Sequence, residues 1–337
     1  MPANTDRALL IGTANGLFRA TPANSHFEAS LVGLKDCGFI RSPVVVDSSD
    51  PSRLYVGATR GGVFMSTDGG STWRESNKGI IHRDVWCVVQ HAGTGTLYAG
   101  ASPASVYISR DHGESWQECE SLGRLPTTKG WTGPQPPHVS RMKWVDVYAG
   151  DANLIYGAIE EGWAVRSRDG GESWQQIDTV DHDGHMIAMM RNNPSVVIAT
   201  TGKGMFRSAD GGETWSESNK GLSGRCYTPA HLVLHPKDPA VLLTAVTQVG
   251  PGGWAKQDPG TTFCRSGDQG LSWDLLPGGL PHPTPVARSL AVDPSAPETF
   301  FAGMLDGSVW MSEDGGESFR SVVEGLPQAT SVKVLHR

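Results

Sequence analysis

The stretch Ser66-Thr67-Asp68-Gly69-Gly70-Ser71-Thr72-Trp73 decides the fold, because the chain repeats it. Five further copies follow the template S-x-D-x-G-x-[ST]-[WF]: SRDHGESW (Ser109 to Trp116), SRDGGESW (Ser167 to Trp174), SADGGETW (Ser208 to Trp215), SGDQGLSW (Ser266 to Trp273) and SEDGGESF (Ser312 to Phe319). Six matches to so long a template mark a repeat architecture. Each copy lies between short apolar runs and reads as a hairpin turn. Its Asp can accept hydrogen bonds from nearby backbone N–H groups. The Gly two residues later takes a positive φ without a Cβ clash. The closing aromatic is too large for a turn tip and is expected to pack between sheets. The aspartates of these boxes are therefore structural rather than catalytic.

The syntax around each box is constant. An apolar strand ends in a D-P-like turn (PVVVDSSDP, Pro43 to Pro51), and a second strand follows (Leu54-Tyr55-Val56-Gly57). Then come a Gly-rich turn, a third strand (Gly62-Val63-Phe64-Met65), the box, and a fourth strand from the Trp. Second strands recur as LYAG (from Leu97), IYGA (Ile155), VIAT (Val197), LLTA (Leu242) and FFAG (Phe300). A four-stranded antiparallel meander of this kind is the blade of a β-propeller. Six boxes give six blades. A seventh is read from Ala8 to Phe27, a second strand, Gly turn and third strand whose box is eroded. It lacks a first strand, and Thr330 to Arg337 (TSVKVLHR) supplies one. The expectation is an all-β, seven-bladed propeller, one domain over residues 1–337, closed by a clasp of N- and C-terminal strands that removes the open edge.

The template resembles the Asp-box, or BNR, repeat of sialidases, sortilin-like receptors, some endoglucanases and a photosystem assembly factor. In that family the box closes the outer hairpin of each blade. The resemblance covers nearly the whole chain and implies the fold, whereas the same blades serve hydrolases, receptors and assembly factors. A sialidase would need an arginine triad, a Tyr nucleophile with a Glu partner, and an N-terminal [FY]-R-I-P. The nearest stretch here is Phe39-Ile40-Arg41-Ser42-Pro43, in scrambled order, and of six tyrosines only Tyr227 falls where a ligand would lie. The xyloglucan-active relatives carry two propellers and this chain one.

Composition narrows the partners. The formal charge is −7 and no Lys/Arg-rich run occurs, which argues against nucleic acid or an anionic membrane. There is no run of about 18 apolar residues and no basic-then-apolar leader, so a cytoplasmic protein is expected. Five cysteines (Cys37, Cys87, Cys119, Cys226, Cys264) form no C-x-x-C pair and fit reduced thiols.

Meander geometry then separates two ends. Boxes lie at one end of each blade, while the connections into each first strand and from second to third strands lie at the other. Box-to-box spacing, aromatic to aromatic, runs 43, 58, 41, 58 and 46 residues, so two intervals carry about 17 extra residues. These insertions, Gly123 to Arg141 and Thr247 to Thr262, both belong to the non-box end, where long loops shape binding sites. The same end collects polar residues at the starts of the inner strands: Arg41, His82, Asp84, His138, Arg141, His182, Asp183, His185, Tyr227, His231 and Arg288. The second-to-third turns add Arg60, Glu160, Glu161, Lys203, Trp254 and Asp306.

These residues suggest a central funnel opposite the boxes. His182, Asp183, His185 and Glu160 are the candidate catalytic groups. Arg41, His82, Asp84, His138, Arg141, Tyr227, His231, Trp254 and Arg288 are the candidate substrate contacts, with the arginines holding an anionic group and Trp254 or Trp131 covering it. His138, His182 and His185 are candidate ligands for one divalent metal ion. Paired carboxylates for glycoside hydrolysis are available at the same end. The expected function is a cytoplasmic hydrolase or lyase, glycosidase-like, for a small polar or glycan-derived substrate. The alternative is a non-catalytic propeller that binds a glycan or protein, or an assembly scaffold.

Overall fold

The computed structural model describes residues 7–225, 227–255 and 257–336. Cys226 and Arg337, both named above, lie outside them. The fold is a seven-bladed β-propeller of four-stranded antiparallel sheets. Two compact units make up the chain. One runs from Val44 to Glu217 and holds four blades, and the other comprises the residues up to Pro43 and from Ser218 on and holds three.

In the four-blade unit the second blade is built from Val45–Val46, Leu54–Ala58, Gly62–Ser66 and Arg74–Glu75. The third follows with Asp84–Gln90, Leu97–Ser102, Ser105–Ser109 and Gln117–Glu118, and the fourth with Arg141–Val147, Ile155–Glu160, Ala164–Ser167 and Gln175–Ile177. The fifth is Gly184–Met190, Asn193–Thr201, Gly204–Ser208 and Ser216–Glu217. Fourth strands start one residue after the box Trp, which is left to pack. Trp116 shares a core with Tyr55, Val63, Met65 and Ile80 of the preceding blade, and its indole N–H donates to Ser76 Oγ at 3.2 Å. Tyr55, Tyr98 and Tyr156 recur at one second-strand position and are buried. Their hydroxyls donate to the carbonyls of His112, Ala152 and Gly211, so each rarely wet polar tip has a partner.

In the other unit the first blade joins the chain ends. Ala329–His336 pairs antiparallel with Arg7–Thr13, from Ala329 opposite Thr13 to His336 opposite Arg7, and Gly16–Ala23 and His26–Gly33 complete it. The eroded box is a two-residue hairpin turn in which Asn24 has φ 55°. Asp293, fully buried, locks this clasp to the seventh blade: Arg7 Nε lies 2.7 Å and His336 Nε2 2.8 Å from its carboxylate. Burial pushes the Asp293 carboxyl up, but the Ser295, Arg7 and His336 partners outweigh it and hold it below the usual range. The sixth blade is Val233–Leu234, Leu242–Val246, Thr262–Ser266 and Asp274–Leu275; the seventh is Ala287–Val292, Phe300–Met304, Val309–Ser312 and Arg320–Val323. Phe319, standing where the other boxes have Trp, stacks on Phe263 of the sixth blade at 4.5 Å between centroids.

The boxes close as turns. In the fifth blade Asp210 accepts from Glu213 N, Thr214 N and Thr214 Oγ1 at 3.1, 2.9 and 2.5 Å, and Ser208 Oγ donates to it at 2.7 Å. These bonds hold its carboxyl well below the usual range. The other five box aspartates repeat the pattern of a hydroxyl and a backbone N–H from the residue four positions on.

Candidate functional site

Both insertions fall at the non-box end, as their positions in the meander require. Gly123 to Arg141 lies in the connection from the third blade to the fourth, which has short helical turns at Glu120–Gly123, just before the insertion, and at Pro126–Gly130 within it. Thr247 to Thr262 joins the second and third strands of the sixth blade, with one turn of helix at Pro251–Trp254.

The inner strands at this end share a distortion. In the third, fourth and fifth blades the register to the second strand slips by one residue, at Trp86, Lys143 and His185. The same slip occurs at Arg288 in the seventh blade and at Thr330 in the first. A bulge of this kind re-aims a side chain and is frequent beside functional sites. Lys143 was not among the residues expected from sequence. Its signal was a phase break: Met142 and Val145 are both fully buried although three residues apart, which unbroken strand alternation forbids.

Around these bulges the four-blade unit assembles its polar cluster. Glu160 ends the second strand of the fourth blade, directly opposite Arg141 in the register. Its carboxylate is shared: Arg141 Nη1 donates to Oε2 at 2.7 Å and Lys143 Nζ to Oε1 at 2.9 Å. Burial pushes the Glu160 carboxyl up, yet Lys143 and Arg141 outweigh it and keep it ionised. Arg141 also stacks on the buried Trp86 ring, Cζ to centroid 4.9 Å, and donates from Nη1 to Gln135 Oε1 at 3.0 Å.

The next blade contributes an Asp–His pair. His185 Nε2 lies 3.5 Å from Asp183 Oδ1, with the imidazole 8% and the carboxylate 31% exposed. Burial raises the Asp183 carboxyl, but His185, Lys143 and His182 pull it below its ordinary value. Gly202 leaves the space this carboxylate fills, since a Cβ there would come within 2.2 Å of Asp183 Oδ2. Backbone bonds fix the lead-in: Gly162 N and Trp163 N both donate to the His182 carbonyl at 3.0 Å. Glu161 and Trp163 hold φ of 51° and 64° in that turn, an uncommon pair of left-handed non-Gly residues flanking Gly162. His182 itself is exposed beside the Trp163 ring at 6.0 Å, and Lys203 Nζ pairs with Asp181 at 2.8 Å.

Several expected residues take other roles. His138 Nδ1 bonds the Gly133 carbonyl at 2.7 Å and closes its own loop. Among the described residues no group of three or more His, Cys, Asp or Glu side chains is placed to hold a metal ion, so His138, His182 and His185 are not gathered into one. Trp131 does not form a cover. It is buried in the core with its indole N–H on Gln176 Oε1 at 2.7 Å. His82 is fixed through its backbone N–H on the Tyr107 hydroxyl, and Asp84, half-buried, begins the third blade's inner strand opposite Ser102.

The three-blade unit holds the remaining candidates. Trp254 meets Tyr227 edge-on at 5.7 Å, and Arg288 Cζ lies 5.9 Å from the Trp254 ring centroid. Arg41 stacks on Phe39 at 4.2 Å, and the neighbouring Ile40 carbonyl accepts from Thr330 Oγ1 and Ser331 Oγ of the clasp strand. His231 is partly buried just before the sixth blade's inner strand. Asp306 caps its own turn through Ser308. Among the described residues no helix is long and apolar enough to cross a membrane, and Cys37, Cys87, Cys119 and Cys264 are free thiols.

Comparison with known proteins agrees with this architecture. Residues 163–276 match the family model for sortilin (neurotensin receptor 3; Sortilin-Vps10), and residues 107–118 match the BNR/Asp-box repeat. No curated protein matches the chain in sequence. Among solved structures, the GH74 xyloglucanase from Xanthomonas campestris superposes with a TM-score of 0.73 at 18% identity, over 96% of this chain and 53% of that one. This chain thus spans about half the length of that enzyme. YCF48 bound to a D1 peptide gives a TM-score of 0.53 at 18% identity, covering 80% and 78% of the two chains. A protein described as a putative 6-phosphogluconolactonase from Bacteroides fragilis gives 0.62 at 10% identity, covering 99% of each. At these identities the likeness is one of fold. Six boxes, seven four-stranded blades and the matched repeat model together make the chain an Asp-box, BNR-type β-propeller.

Proposed function

We propose that the non-box end of the fourth and fifth blades binds a small carbohydrate-like ligand, and that Asp183 and His185 move the proton of a hydrolytic step there. The observation that carries this reading is the Asp183–His185 pair, an ionised and partly exposed carboxylate orienting an imidazole beside a rigid charged frame. In such a pair the carboxylate fixes the ring and the ring exchanges the proton. Glu160, first expected as a catalytic group, serves here as a strut: both its oxygens are engaged by cations, so it neither donates nor takes a proton near neutrality. The likeness to the xyloglucanase and to other GH74 enzymes supports a glycosidase-like role.

The test is turnover of a panel of aryl glycosides and small sugar esters by the wild type, with ligand binding followed in parallel. His185→Gln is expected to cut turnover by about 10²-fold or more while leaving binding within a few-fold. Equal turnover by wild type and His185→Gln would refute the catalytic assignment. A binding-only propeller is the second reading, favoured by the commitment of both Glu160 oxygens to cations, which takes that carboxylate out of acid–base chemistry. The peptide-bound YCF48 neighbour is in keeping with it. It would show as saturable binding without turnover.

A further inference from the structure

Arg141 is held on three sides. Trp86 lies beneath its guanidinium, and Glu160 and Gln135 both take hydrogen bonds from the same nitrogen, Nη1. Its Nε and Nη2 make no hydrogen bond or ion pair among the described residues. The side chain nevertheless keeps 18% of its surface open. Those two nitrogens form the edge of the guanidinium whose parallel N–H groups match the two oxygens of a carboxylate or phosphate. An immobilised, stacked guanidinium with an open fork is pre-organised, and binding there loses little side-chain freedom.

We infer that the Nε/Nη2 edge of Arg141 is the receptor for an oxyanion on the ligand, so that the ligand class is an acidic sugar derivative rather than a neutral one. This rests on the carbohydrate reading above and narrows it. A carboxylate and a phosphate present the same pair of oxygens, and the experiment separates them.

Binding of glucuronate, glucuronamide, glucose 6-phosphate and glucose is measured by titration calorimetry on the full chain. At least one acid is expected to bind tenfold or more tighter than its neutral counterpart, the worth of a charge-assisted pair, and the tighter acid identifies the source. Arg141→Lys keeps the charge and loses the fork, and is expected to erase most of that preference. The comparison of glucuronate with glucuronamide needs no variant, so it stands even if Arg141→Lys folds poorly. Equal binding of acids and neutral sugars, or an acid preference that survives Arg141→Lys, overturns this inference and leaves the carbohydrate reading intact. Binding of none of the four overturns both.

Discussion

Replacing Glu160 by Gln removes the single negative charge that holds two largely buried cations together. Taking one partner from a fully buried ion pair costs about 3–5 kcal/mol, because the other charge is left desolvated. Arg141 and Lys143 keep 18% and 16% of their side-chain surface, so water recovers part of this, and about 2–3 kcal/mol is expected. Lys143→Met is the contrasting change. It leaves one Arg141–Glu160 pair in charge balance and preserves the apolar stem, so about 1 kcal/mol is expected. The double variant holds one uncompensated cation instead of two and is expected to be less destabilised than the sum of the singles. Equilibrium urea unfolding at pH 7 measures all three, with unchanged m values confirming comparable states. The pH dependence has a fixed sign. The Glu160 carboxyl is held below its ordinary 4.5, so its contribution is complete above that value and is lost as pH falls through the lower folded value. Glu160→Gln is expected to flatten that acid limb. A Glu160→Gln protein within about 0.5 kcal/mol of wild type, or one more stable than Lys143→Met, would refute the reasoning.

Other perturbations test the remaining parts. Truncation before Thr330 removes the inner strand of the first blade, and Asp293→Asn unpairs buried Arg7; circular dichroism melts should show no cooperative transition for the first and a clearly lowered Tm for the second. Asp146, on the inner strand of the fourth blade, accepts the Met189 N–H at 2.7 Å, and burial pushes its carboxyl from 3.8 up to about 7. Its stabilising contribution is therefore complete below pH 4 and lost as pH rises through 7, and Asp146→Asn should exceed wild-type stability above pH 7 by about 1–2 kcal/mol, partial exposure limiting the gain. Asp210→Ala should lower Tm through the lost turn bonds and leave sugar binding unchanged; lost binding at an unchanged Tm would place function at the box end.

The fold was legible because its signals are local and repeated. The box carries its own turn chemistry from Ser66 to Trp73, and the second and third strands before it are short, continuously buried runs. The clasp could be read because a first strand was missing at one end and surplus at the other. The site was harder. Residue type and position in the meander put Glu160, Arg141, Asp183 and His185 at one end of their blades, but did not give their pairing. Whether Glu160 acts as an acid or as a strut depends on Lys143, which a bulge turns toward it. That bulge shows in sequence only as the odd spacing of Met142 and Val145. His138 and Trp131 were misread for the opposite reason: an insertion closes on itself through contacts such as His138 to the Gly133 carbonyl, which residue type does not announce.

The most direct test of the central claim is a crystal structure of the protein with the tightest-binding sugar from the titration panel. The account expects the sugar at the non-box end of the fourth and fifth blades, with a hydroxyl within hydrogen-bond distance of the Asp183 carboxylate. A sugar bound at the box end, or anywhere out of reach of Asp183, would contradict it.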